Sequence, residues 1–264
     1  MIPIVKWTLW QRRWSTVWWS IGMLFLIFFS MIFYPSFKND AEQLQKSFEN
    51  LPDAAVQLFG GSTDFFSPVG FLNSQIFFLT LPLILSVLAI GMGCNLIGKE
   101  VQNLTIESLL ARPISRSKLL LGKATAGALI LFGVTLISLI TTVVTAKIVD
   151  LEVGIGLISL ATLACFLLVL SFGAIAFMLS CYGKTRNASL GITAFIAFGG
   201  YIIGSLAGTV DWLEIPSKIF PFTYYQPEAI LRETFNWANI MFFISVIIGC
   251  GLISWLSFRH RDIT

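Results

Sequence analysis

The sequence predicts an all-α, polytopic membrane protein, and three observations predict it. The 264 residues are 56% hydrophobic and only 12% charged, too apolar for a soluble domain of this size. Six runs carry no Asp, Glu, Lys, Arg or His: 17–34, 76–97, 124–146, 155–182, 188–208 and 238–258. Each is close to or above the roughly 20 residues that cross about 30 Å of hydrocarbon as a helix. None shows the alternation over about 10 residues that marks a closed barrel. The chain therefore reads as one transmembrane domain, 1–264, with six spans.

Charge asymmetry sets the topology. With both termini in the cytoplasm, the inner segments hold twelve bases (Lys6, Arg12, Arg13, Lys99, Arg112, Arg116, Lys118, Lys123, Lys184, Arg186, Arg259, Arg261) against Glu100, Glu107 and Asp262. The outer segments are left with five bases and eleven acids, the bias that short loops show across a plasma membrane.

In chain order, residues 4–16 set Val5, Leu9, Trp10 and Trp14 among Lys6, Arg12 and Arg13, the pattern of a helix lying in the inner interface ahead of the first span. Bases followed by an apolar run could begin a secretory signal, but Phe33-Tyr-Pro-Ser-Phe37 offers no small-x-small cleavage site, so the run is expected to remain as a span. Outside, Leu44, Phe48 and Leu51 recur at helical spacing before Pro52, and Gly60-Gly61 and Ser67-Pro68 mark turns. The insert 98–123 is polar between apolar runs. About three helical turns fit over 101–111 before Pro113 stops them, and Ser115 or Ser117 can cap the next helix. Short links at 147–154 and 180–187 make the third, fourth and fifth spans antiparallel neighbours. Glycine-rich spans, with Gly200-Tyr-Ile-Ile-Gly204 as the small-xxx-small example, allow close helix approach. Between 209 and 237, Pro216, Pro221 and Pro227 interleave with Trp212, Phe220, Phe222, Tyr224 and Tyr225, as expected of short external half-helices before span six. The tail ends in Arg259-His-Arg261, and Cys94, Cys165, Cys181 and Cys250 read as apolar packing residues without disulfides.

Several activities lose their material. The spans offer no intramembrane carboxylate for ion antiport and no His and acid set for metal hydrolysis. His260 is the single histidine, and no nucleophile elbow occurs. Leu119-Leu-Leu-Gly-Lys-Ala124 lacks the first glycine and the final Ser or Thr of a phosphate loop. No catalytic residue, metal ligand or cofactor site is expected in this chain. The sequons at Asn103 and Asn187 fall on the inner side, away from glycosylation.

Glu100, Thr105, Glu107, Leu109, Leu110, Pro113, Ser115 and Arg116, followed by Gly122-Lys123, resemble the cytoplasmic loop of permease subunits of type-2 ABC exporters. In that family a Glu, a Gly-Thr-x-Glu, a Leu-Leu and a Pro-x-Ser-Arg follow at this spacing; Leu104 stands here where glycine is usual. The segments 51–71 and 220–228 also look like the family. Its acidic residue in the N-terminal helix has no counterpart in Lys6-Trp7-Thr8-Leu9.

The resemblance implies an interfacial N-terminal helix, a coupling helix between spans two and three, and a transporter of two permeases (homodimer or heterodimer) and two cytosolic ATPase subunits, which bind the ATP and Mg. Val101, Leu104, Ile106, Leu109 and Leu110 are then expected to fill a groove on the ATPase. Glu100, Thr105, Glu107, Arg112, Pro113, Ser115 and Arg116 complete the coupling set, the charges fixing its register. Two other classes fit the same spans: an immunity or scaffold module that transports nothing, and an ion-coupled secondary transporter. Neutral, Phe-rich helices suit an amphipathic or lipid-like cargo.

Overall fold

A computed structural model describes residues 1–35, 52–58, 60, 67–102 and 115–260. Their regular structure is entirely helical: α1 (Ile2–Ile32), α2 (Asp53–Leu58), α3 (Pro68–Gln102), α4 (Arg116–Ile148), α5 (Ile155–Tyr182), α6 (Arg186–Leu206), α7 (Glu214–Ser217), α8 (Pro227–Leu231) and α9 (Ala238–His260). Six of these, α1, α3, α4, α5, α6 and α9, are long and apolar enough to cross a membrane. Residues 103–114, which contain most of the expected coupling helix, lie outside the described residues, as does the outer helix expected before Pro52.

The first helix differs from expectation. No break separates an interfacial helix over 4–16 from the first span; both belong to one helix of 31 residues. Pro3 falls in its first turn, where a missing N–H costs nothing, and no glycine or proline follows before Gly22. At 1.5 Å per residue the helix is about 46 Å long, more than the hydrocarbon layer, so its N-terminal turns project past it. Trp7, Trp10, Trp14 and Trp18 are all exposed, at spacings that form one stripe. The Arg13 guanidinium sits 4.0 Å from the Trp10 ring centre, a cation over an aromatic face.

α3 begins earlier than its apolar run. Ser67 caps it by accepting a hydrogen bond from the Gly70 N–H at 3.0 Å, with Pro68 in the first turn. Over Asn73–Thr80 it widens into a π-helix, whose register lets the Leu81 N–H donate to the Ile76 carbonyl. The next donor in that register would be Pro82, which has none. The Phe77 carbonyl is met instead by the Tyr225 hydroxyl, which donates to it at 2.7 Å in a buried setting.

α3 and α5 form the centre of the bundle. A side-chain carbon on Gly93 would fall 2.4 Å from the Gly173 carbonyl oxygen and 2.9 Å from Ala176 Cβ, so these backbones meet with no room between them. α1 packs along α4, and α9 along α5. Gly200 and Gly204 of the small-xxx-small pattern face Phe220 and Thr223, which makes the pattern an intrachain contact. The four cysteines are buried as free thiols.

Short pieces connect α6 to α9. Pro221 and Pro227 each open one, a 3-10 turn over Pro221–Tyr224 and α8. Phe222, Tyr225, Ile230 and Leu231 are buried against the long helices. Phe78, Tyr201, Phe222 and Tyr225 form a chain of ring contacts, and the Tyr201 hydroxyl donates to the Leu58 carbonyl at 2.7 Å. This end of the bundle, opposite the 103–114 segment, is thus closed by aromatic packing.

Candidate functional site

The end from which residues 103–114 leave is built differently. There polar contacts tie α3, α4, α6 and α9 together, and α1 and α5 lie alongside. Lys123, on the second turn of α4, is buried and pairs with Glu100 near the end of α3. The pair clamps the two helices that carry the ends of the 103–114 segment. Arg12 of α1 is half-buried and feels the charges of both Glu100 and Arg186. Arg186 opens α6 and donates through Nε to Asn95 Oδ1 at 2.6 Å, and Asn95 Nδ2 donates to the Gly91 carbonyl at 2.6 Å. A side-chain carbon on Gly98 would lie 3.5 Å from both Ser180 Oγ of α5 and Arg186 Cβ, so α3, α5 and α6 converge there. Trp255 of α9 donates its indole N–H to Ser117 Oγ of α4 at 3.0 Å.

Local sequence explains the placement. Ser115 accepts from the Lys118 N–H at 3.4 Å and starts α4, while Ser117, the other cap candidate, holds Trp255. The positive φ of Gly183 ends α5, and Thr185 caps α6 by accepting from the Ala188 N–H at 3.3 Å. That tight turn sets Arg186 against Asn95. At the other end of the molecule the ion pairs among the described residues are i,i+4 contacts nearer to solvent, Glu214 with Lys218 and Glu228 with Arg232. The Lys218 ammonium still holds the Glu214 carboxyl below the ordinary carboxylate range, by a hydrogen bond and by its charge.

Of the expected coupling residues, Glu100, Val101, Ser115 and Arg116 are described. Glu100 is in the clamp, and Val101 packs on a small apolar cluster that includes Ile97, Leu120, Phe177 and Phe258. Ser115 is a cap, and Arg116 is half-buried. Leu104, Thr105, Ile106, Glu107, Leu109, Leu110, Arg112 and Pro113 lie outside the described residues. Arg12, Asn95 and Arg186 were not among the expected site residues; the only signal for Arg12 and Arg186 was a base beside the end of a span, and Asn95, inside a span, gave none. Among the described residues no group of three or more His, Cys, Asp or Glu is placed to hold a metal. Between α3, α4, α5 and α9 an apolar crevice of ≈ 580 Å³ opens, lined by Met92, Gly93, Gly127, Phe177 and Trp255 among others.

A family model for ABC-2 family transporter proteins matches residues 2–262. The chain belongs to this family. It is a transmembrane permease component of an ABC transporter, a class whose permeases work with a cytosolic ABC ATPase. Beyond the family, no curated protein and no solved structure matches the permease.

Proposed function

We propose that this permease is the membrane-spanning half of an ATP-driven exporter in the plasma membrane, with both termini cytoplasmic. Two copies, identical or related, form the pathway, and each receives its push through residues 98–123 from a separate ATPase subunit, which holds the ATP and Mg. The observation that carries this reading is the Glu100–Lys123 clamp, within an end where all six long helices meet. A loop whose two stems are pinned by a buried ion pair transmits a displacement to the helices, whereas an unpinned loop would absorb it. Leu104, Ile106, Leu109 and Leu110 would supply apolar contact with the ATPase at about 1.5 to 3 kcal/mol per buried side chain. Glu107, Arg112 and Arg116 would set orientation. Val101, already packed in the bundle, would join the two.

The apolar crevice beside this end supports a cargo with a hydrocarbon part, amphipathic or lipid-like. Purification of the permease from its own membranes, followed by native mass measurement, tests the assembly. Two permeases with two ATPase subunits are expected. A complex with no nucleotide hydrolase would favour a scaffold instead, and uphill transport by the permease alone on an ion gradient would establish a secondary transporter.

A further inference from the structure

We propose that the apolar crevice between α4 and α9 holds one acyl chain of an anionic phospholipid from the leaflet at the 103–114 end, its headgroup phosphate against Lys118 and Arg259. The crevice, ≈ 580 Å³, is within the size range of small-molecule sites. Its two walls are membrane-spanning helices that pack chiefly on others, α4 along α1 and α9 along α5. Exposed Leu121, Ile248 and Leu252 on its rim open it sideways to the bilayer. No ionisable side chain lines it, and its polar ones are already bonded within the bundle. The Thr125 hydroxyl donates to the Leu121 carbonyl at 2.8 Å, the Ser254 hydroxyl to the Cys250 carbonyl at 2.7 Å, and the Trp255 indole N–H to Ser117. A hydrocarbon chain fills such a space without leaving a polar group unmet, and the surrounding bilayer supplies one.

Charge at the mouth selects the lipid. Arg259 lies one turn past Trp255, with its guanidinium 5.7 Å from the centre of that lining ring. Lys118 lies one turn before the lining Leu121, on the same face of α4. Both bases are exposed, and neither forms an ion pair among the described residues. Glu100, the one acid described at this end, is held by Lys123. The hydrogen bond from Trp255 to Ser117 ties the helices of the two bases together there. Two bases beside an apolar slot complement a phosphate that carries a fatty chain, since each Lys or Arg near a membrane surface attracts anionic lipid. A zwitterionic headgroup brings an ammonium that the same bases repel. Binding rests neither on the coupling role of 98–123 nor on export of the lipid, and its test needs no ATPase, so failure of either reading leaves the other standing.

Phosphatidylglycerol and phosphatidylcholine, each with a photoactivatable diazirine midway along one acyl chain, are the probes, used at equal mole fractions with the permease in lipid nanodiscs. Peptide mass analysis should place the phosphatidylglycerol label on 121–128 of α4 and 247–255 of α9. Label from phosphatidylcholine should be weaker there by about tenfold or more. Excess unlabelled phosphatidylglycerol should compete, and glycerol 1-phosphate, a headgroup without chains, should not. Lys118→Gln with Arg259→Gln should bring the phosphatidylglycerol label down to the phosphatidylcholine level with the melting temperature unchanged, since both side chains are exposed. Gly251 lines the crevice and a carbon added to it would meet nothing within 4 Å, so Gly251→Phe should fold and remove the label of both lipids. The proposal is overturned if the two lipids label the crevice alike, if neither labels it, or if the label does not saturate. It is also overturned if the charge variant labels as the unsubstituted permease does, or if Gly251→Phe keeps the label. Ready cross-linking of Gly251→Cys between two copies would equally overturn it, giving the crevice to a second permease.

Discussion

Lys123 is a cation buried at the foot of a membrane-spanning helix, and Glu100 is what makes that tolerable. Desolvating two charges costs several kcal/mol each, which mutual attraction only about offsets, so removing Glu100 leaves the Lys123 ammonium stranded. Glu100→Met alone should therefore destabilise the fold by about 3 to 5 kcal/mol, while Glu100→Met with Lys123→Met should come back close to the original stability. Thermal unfolding of the three variants in one detergent checks this; equal losses in the single and double variants would contradict it. Tyr225 is the second instructive residue. Tyr225→Phe keeps the ring contact with Phe222 but strands the Phe77 carbonyl, and should cost about 1 to 3 kcal/mol in the same assay. Neither pairing was legible in the sequence. Glu100 and Lys123 were visible as charges in a polar insert, but the linear order does not say that they meet. Tyr225 looked like one more interfacial aromatic.

At the scale of elements, apolar runs were legible because charge is so costly in hydrocarbon that spans announce themselves. Helix ends were less so, since a helix continues into polar residues wherever capping allows. Ser67 starts α3 well before the run at 76, and α1 passes through Lys6, Arg12 and Arg13 without a break. The π-helical stretch before Pro82 left no sequence signal beyond the proline itself. Gly93 belongs to no motif in the sequence, yet among the described glycines it makes the closest approach to a neighbouring helix. Gly93→Leu would drive carbon into the Gly173 backbone oxygen, where nothing flexible can yield, and should cost more than the about 1 to 3 kcal/mol typical of overpacking. Gly133→Leu, whose added carbon would meet nothing within 4 Å, should fold normally. The two yields of folded protein after size-exclusion chromatography distinguish a packing contact from a general intolerance of side chains.

At the scale of the whole molecule, the six spans and the family were readable from composition, charge order and the motif around 98–123, because each is a property of contiguous sequence. The convergence of all six long helices on one polar end was not, because Arg12, Asn95, Arg186 and Trp255 come from distant parts of the chain. That convergence gives the permease a mechanical character: one end stitched by charges and hydrogen bonds, the other closed by aromatic packing. Motion imposed at the stitched end would be shared among the helices rather than lost in one. The measurement that tests this most directly is ATP hydrolysis by the partner ATPase reconstituted with the permease in nanodiscs. Replacing Leu109 and Leu110 together with Asp should abolish the stimulation that the permease confers, with membrane insertion and melting temperature unchanged. Full stimulation by that variant would contradict coupling through residues 98–123.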